Sequence, residues 1–188
     1  MRIYYKTPIS LVLQKYIDSI FFIKTSKEAN RDIIISPCTN PTLYLYRNVN
    51  INIEEGFYSV KSDSNANSFY AHLFVNQNEA YIKKYIGIVD EIAIVFKDDR
   101  ALDKFVNKSE NINDFVRNVT LLGNADFTLN SLFDIKGYRR RQPYLEDILL
   151  NQYKKINHSE HTIEFTIQPK PKEFNSSYSS FKDNFLSY

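Results

Sequence analysis

The feature that most constrains this chain is a rhythm of short apolar and aromatic runs between Arg31 and Lys97. They return roughly every ten residues and are parted by turn-forming residues. Asp32 to Ile35 stops at Ser36-Pro37, and Thr42 to Tyr46 follows Thr39-Asn40-Pro41. Ile51 and Ile53 alternate with asparagine, Phe57 to Lys61 comes after Gly56, and Ser62 to Asn67 is a polar loop. Tyr70 to Val75, Ala80 to Ile88 and Ile92 to Phe96 complete the series. β-Branched and aromatic side chains fit a pleated surface. Regular turns between such runs predict an antiparallel sandwich or barrel. The 14 Phe and 14 Tyr against 4 Gly point the same way, and so few glycines argue against a glycine-rich phosphate loop.

The flanks follow a different period. Thr7 is a good N-cap and Pro8 suits a first helical position, so Ile9, Val12, Leu13 and Tyr16 predict a short helix over 8–17. Ile20 to Ile23 then reads as a buried strand. After Lys97, Ala101, Leu102, Phe105 and Val106 share a helical face opened by Asp98-Asp99. Ile112, Phe115, Val116 and Val119 predict a second helix, and Phe127, Leu129, Leu132 and Phe133 a third. Tyr144, Leu145, Ile148 and Leu149 predict a fourth, with Pro143 in its first turn. Thr162 to Ile167 returns to period two, Gln168 to Lys172 is an extended spacer, and a Ser- and Asn-rich tail follows. The expected class is α+β: an antiparallel β barrel-like or curved sheet, preceded by a short helix and followed by a small helical subdomain. One domain is expected over 1–153, with strands about 18–97 and helices about 98–153. A C-terminal strand and tail occupy 154–188.

Composition and spacing exclude several function classes. A net charge of +2 is too small for the broad basic face of a nucleic-acid binder. No apolar run approaches the ~18 residues of a membrane span. Met1-Arg2-Ile3-Tyr4-Tyr5 lacks the layout of a secretory signal, so the cytoplasm is the expected compartment. A single cysteine, Cys38, excludes an internal disulfide and a cysteine-rich zinc site. Metal sites on strands need clustered histidines. Here the strand region holds His72 alone, which reads as a partly buried, hydrogen-bonded residue. His158 and His161 fall in a segment that reads as a loop. No metal and no cofactor are therefore expected. No serine sits in a glycine-flanked nucleophile elbow. Asp98-Asp99 and Glu54-Glu55 read as solvated pairs, Cys38 as a structural thiol, and the chain is not read as an enzyme. Arg139-Arg140-Arg141 is the densest positive charge. It is of the kind that holds a phosphate or a nucleic-acid backbone, but reads as a solvated loop before the helix at Pro143.

The aromatic strands are the remaining candidate. Tyr44, Tyr46, Tyr70, His72 and Phe74 can share one sheet face, where they either line an apolar pocket with polar handles or fill the interior completely. Four segments give the order of elements a family likeness. They are PISLVLQKYIDSIFF (Pro8 to Phe22), IIISPCTNPTLYLY (Ile33 to Tyr46), VDEIAIVFKDDRALDKFVN (Val89 to Asn107) and YLEDILLNQY (Tyr144 to Tyr153). Together they resemble the N-terminal regulatory domain of AraC-family transcription regulators. Two departures stand out: Asp98-Asp99-Arg100 replaces the family's proline and Leu-Gly-like pair, and no helix-turn-helix pair follows. The resemblance implies sensing of a small apolar or aromatic ligand through Tyr44, Tyr46, Tyr70, His72 and Phe74. It also implies a homodimer through the helices carrying Phe105, Phe115 and Leu145, and DNA contact only through a helix-turn-helix region absent from this chain. The alternatives are a protein-interaction module engaging a partner through Thr162 to Tyr188 and, less favoured, a small barrel enzyme.

Overall fold

A computed structural model of the chain describes residues 1–54, 56–64, 69–75, 79–105 and 129–161. Its strands are β1 (Arg2–Lys6), β2 (Ile17–Lys24), β3 (Asn30–Ile35), β4 (Thr42–Arg47), β5 (Val49–Glu54), β6 (Phe57–Ser62), β7 (Phe69–Phe74), β8 (Tyr81–Ile86) and β9 (Asp90–Phe96). A 3-10 turn, Leu13–Lys15, precedes β2. The helices are α1 (Asp99–Leu102), α2 (Leu129–Asp134) and α3 (Tyr138–His161). The predicted helix of Ile112 to Val119, Phe127, the strand of Thr162 to Ile167 and the tail lie outside the described residues.

Among the described residues the strands form two sheets. One is antiparallel, in the order β1-β2-β9-β4-β7; the other runs β3-β8-β6-β5, with β6 and β8 parallel. From β2 to β9 the chain passes from one sheet to the other at every connection except the β5–β6 hairpin, an alternation of the kind used by double-sheet jelly rolls. The α+β class holds. The barrel-like or single curved sheet is corrected to two open sheets packed face to face, because no strand bonds across from one to the other.

The centre of the first sheet, β9 and β4, is buried on both faces, and its sequence shows why. In β4, Leu43 and Leu45 point to one side and Tyr44 and Tyr46 to the other, all of them buried. The leucine side joins Ile20, Phe22, Ile92, Ile94 and Phe96 in a core with Phe105, Leu132, Leu145 and Leu149 from the helical layer. The tyrosine side joins Ala93 and packs on Tyr58, Val60, Tyr81 and Tyr85 of the second sheet. The molecule is thus layered as helices, sheet, sheet.

Three segments differ from expectation. The helix over 8–17 shrinks to Leu13–Lys15, because the chain enters β2 at the fully buried Ile17. Ile9, Leu11 and Val12 are exposed. The backbone N–H groups of Ile9 (2.8 and 3.0 Å) and Ser10 (2.8 Å) donate instead to the Glu146 carboxylate. The element that opens the fold is β1, whose Tyr4 pairs with Phe22. At the other end, Arg139-Arg140-Arg141 is not a loop. It is the first turn of α3, started by Gly137 at φ +85 and placing Pro143 inside the helix. Arg141 is buried there, while Arg139 and Arg140 are exposed. The segment of His158 and His161, also read as a loop, has helical backbone. The Asp98 side chain does cap α1, accepting from the Ala101 N–H at 2.7 Å. No described helix is long and apolar enough to cross a membrane.

Candidate functional site

Strand pairing alone gathers the five aromatic-strand candidates. β4 and β7 are antiparallel neighbours, with Tyr44 opposite His72, Tyr46 opposite Tyr70 and Thr42 opposite Phe74. Side chains alternate along a strand, so all five face the second sheet. There the rings interlock. Phe74 stacks on Tyr81 at 5.5 Å between centroids and meets the Tyr44 edge at 5.4 Å, and His72 meets Tyr58 at 5.8 Å. Tyr46 has no exposure at all. At the β7 end these rings pack on one another, with Tyr70, His72 and Phe74 half-buried.

At the β2–β3 end it is open. A cleft of about 430 Å³ lies between the sheets, walled by Phe21, Ile23, Ile33, Ile35, Ala93 and Val95, with Asp18, Cys38 and Asn40 at its rim. Of the five candidates, only Tyr44 lines it; the other four belong to the packed end. The floor carries the charge. Lys83 Nζ donates to Glu91 Oε1 at 2.8 Å and the Tyr85 hydroxyl donates to Glu91 Oε2 at 2.9 Å, with the Lys83 and Glu91 side chains 1% and 0% exposed. The Lys83 ammonium sits 3.7 Å from the Tyr44 ring centroid and 5.3 to 5.4 Å from those of Tyr46, Tyr58 and Tyr85. The negative faces of these rings and one carboxylate replace the water that the ammonium loses on burial.

The same burial sets the titration of the site. Desolvation pulls the Lys83 pKa below its ordinary value, against the opposing pull of Glu91. Burial pushes the hydroxyls of Tyr44, Tyr46, Tyr58 and Tyr85 well above the usual tyrosine range, and the negative charge of Glu91 adds to each. His72 is lowered, first by burial and then by the charge of Lys83. The arrangement holds a fixed, neutralised charge pair under an apolar cleft. A ligand there meets hydrocarbon walls, ring faces and one polar floor, the usual composition of a small-molecule site.

Sequence reasoning missed Lys83 and Glu91. A signal existed in the strand period: Lys83 lies in phase with the inward Tyr81 and Tyr85, and Glu91 with Ala93 and Val95. The residues expected at a dimer surface are placed differently. Phe105 and Leu145 are 0% and 1% exposed, in the core between the helices and the first sheet. As side chains they serve this chain's own packing, beside Leu132, Phe133, Ile148 and Leu149. Phe115 lies outside the described residues. Among the described residues, no three His, Cys, Asp or Glu side chains gather as metal ligands would. Comparison with protein-family models, with curated proteins and with solved structures finds no match for this chain.

Proposed function

We propose that this chain is a regulatory, sensor-type domain that takes a small apolar or aromatic molecule in the cleft between its two sheets. The observation that carries this reading is the cleft itself: about 430 Å³, apolar on both walls and closed below by the Lys83–Glu91 pair. Its size falls within the range of about 300–1,000 Å³ typical of ligand pockets. The likeness of four segments to AraC-family regulatory domains supports the sensor role. Regulation follows if the ligand favours one arrangement of the two sheets over another, since equal affinity for both would shift nothing. Self-association belongs to the same reading. It would use outward residues of the helices, such as the exposed Pro143 and Asp147 on α3, rather than Phe105 and Leu145 themselves. DNA reading is assigned to no part of this chain.

The test uses 2-naphthol, whose fluorescence is easily followed because the chain has no tryptophan. Ala93, 3% exposed, sits on the cleft wall, and Ala93→Phe places a ring in the space. Saturable binding to the wild type, weakened about tenfold or more in a variant that still melts cooperatively, is the expected result. Equal binding to both proteins, or none to the wild type, refutes the reading.

A further inference from the structure

Arg141 lies on the opposite face of the first sheet from that cleft. Its guanidinium forms a two-point pair with Asp90 at 2.6 and 3.1 Å and donates to the carbonyls of Phe133 and Ile135 at 3.1 and 3.0 Å. So held, it makes one wall of a second cleft, about 550 Å³, between the β1–β2 end of the sheet and the α2–α3 junction. Among the described residues five cations line this space, Arg2, Lys24, Arg47, Lys136 and Arg141, against the carboxylates of Asp90 and Asp134. Both carboxylates are already engaged. Asp90 is held by Arg141 and approached by Lys24 at 3.6 Å, and Asp134 pairs with Arg47. Arg2 and Lys136 make no ion pair with a described residue. Among the described residues the cleft therefore has three positive charges in excess, two of them with no partner charge.

Beside these cations the walls are aromatic. The rings of Tyr4 and Tyr138 stack at 4.1 Å, and Phe133 lies 5.7 Å from the Arg47 guanidinium carbon and 5.5 Å from that of Arg141. A carboxylate would leave most of the excess charge unmatched, whereas a phosphate ester carries about −1.5 to −2 and presents several acceptor oxygens to cationic donors. Arg47 and Arg141 already flank Phe133, and Lys6 lies 5.4 Å from the Tyr138 ring centroid, so the stacking surface left to a flat ligand group is Tyr4, 36% exposed. We propose that this cleft binds a small phosphate monoester carried on a flat ring, of the mononucleotide class. It would bind independently of any ligand between the sheets.

Calorimetric titration with adenosine 5′-monophosphate tests this, with inorganic phosphate and adenosine titrated in parallel. The nucleotide should bind at least about tenfold more tightly than either fragment, and less tightly at about 200 mM than at about 50 mM salt, where exposed charges are less screened. Arg2→Gln with Lys136→Gln should weaken it about tenfold or more at unchanged melting temperature, each substitution removing one charge-assisted contact. Ala93→Phe, on the other face of the sheet, should leave it unchanged. No binding of the nucleotide at millimolar concentration overturns the proposal, as does undiminished binding to the Arg2/Lys136 variant. Adenosine or inorganic phosphate binding as tightly as the nucleotide overturns it too.

Discussion

Discharging one side of the Lys83–Glu91 pair should cost far more than discharging both. Glu91→Gln keeps an acceptor for the Tyr85 hydroxyl, which donates to Glu91 at 2.9 Å, but strips the counter-charge from an ammonium whose side chain is 1% exposed. Breaking a buried pair in this way costs about 3–5 kcal/mol. Lys83→Met leaves Glu91 charged and supported by Tyr85 alone, at a similar cost. It also gives up the ring contact with Tyr44 at 3.7 Å, which is worth about 2 kcal/mol where water is excluded. The double variant Lys83→Met/Glu91→Gln places two neutral groups of similar size in the same space, for a loss of no more than about 2 kcal/mol. The cycle then gives a coupling of roughly 4–8 kcal/mol, above the range of about 0.5–3 kcal/mol for ordinary contacting pairs. Urea unfolding followed by circular dichroism measures it. Against a total stability of about 5–15 kcal/mol, each single variant should unfold at low urea and the double variant near the wild type. Single variants that both stay within about 1 kcal/mol of the wild type would show that this charge is solvated rather than buried, and the reasoning would fail.

Alkaline pH should unfold the protein cooperatively. Tyr44, Tyr46, Tyr58 and Tyr85 ionise well above 10.0 when folded and at about 10 when unfolded, so their contribution is complete below that pH and lost above it, by up to about 1.4 kcal/mol per tyrosine per pH unit. Lys83, lowered when folded, adds a smaller opposite slope that ends near its unfolded value of about 10.4. Tyrosinate absorbance should therefore rise gradually and then jump as the fold is lost; a smooth titration of all 14 tyrosines with no step contradicts this. Glu146→Ala should cost about 2–4 kcal/mol by orphaning the Ile9 and Ser10 N–H groups. It should speed hydrogen exchange at those two amides, and unchanged exchange there would show that the carboxylate does not hold the segment.

The strands from Asp32 to Phe96 were legible because each ends at a polar or proline-bearing turn, and such punctuation is local. Which strand lies beside which is not local. β9 inserts between β2 and β4, and β6 runs parallel to β8, and neither leaves a mark in the neighbouring residues. That is why a closed barrel and two open sheets looked alike. β1 escaped notice because Thr7-Pro8, which ends it, also reads as the start of a helix. The helix over 8–17 was over-read because exposed Ile9 and Val12 imitate a buried face with Leu13 and Tyr16. The loop at Arg139 was misjudged because Pro143 is a strong local signal, whereas the ties of Arg141 to Asp90, Phe133 and Ile135 come from distant chain. In the candidate site, period two put Tyr44, Tyr46, Tyr70, His72 and Phe74 on one face. It could not say which end of that face is packed and which is open, since that depends on how the second sheet lies across it.

Asp90 and Glu91 are neighbours in β9, and they look opposite ways, one toward Arg141 in the helical layer and the other toward Lys83 between the sheets. The residues after them, Ile92 to Val95, are apolar on both sides of the strand. Hydrocarbon alone thus gives β9 little preference for which way up it enters. A slip of one residue would turn both acids to the wrong layer, leaving two buried cations without counter-charge at several kcal/mol apiece. The adjacent acids work as a key that admits the strand in one orientation. Since β9 follows every other described strand in sequence and lies between β2 and β4, the check falls on the piece that completes the central sheet, where an inverted insertion would otherwise pass unnoticed.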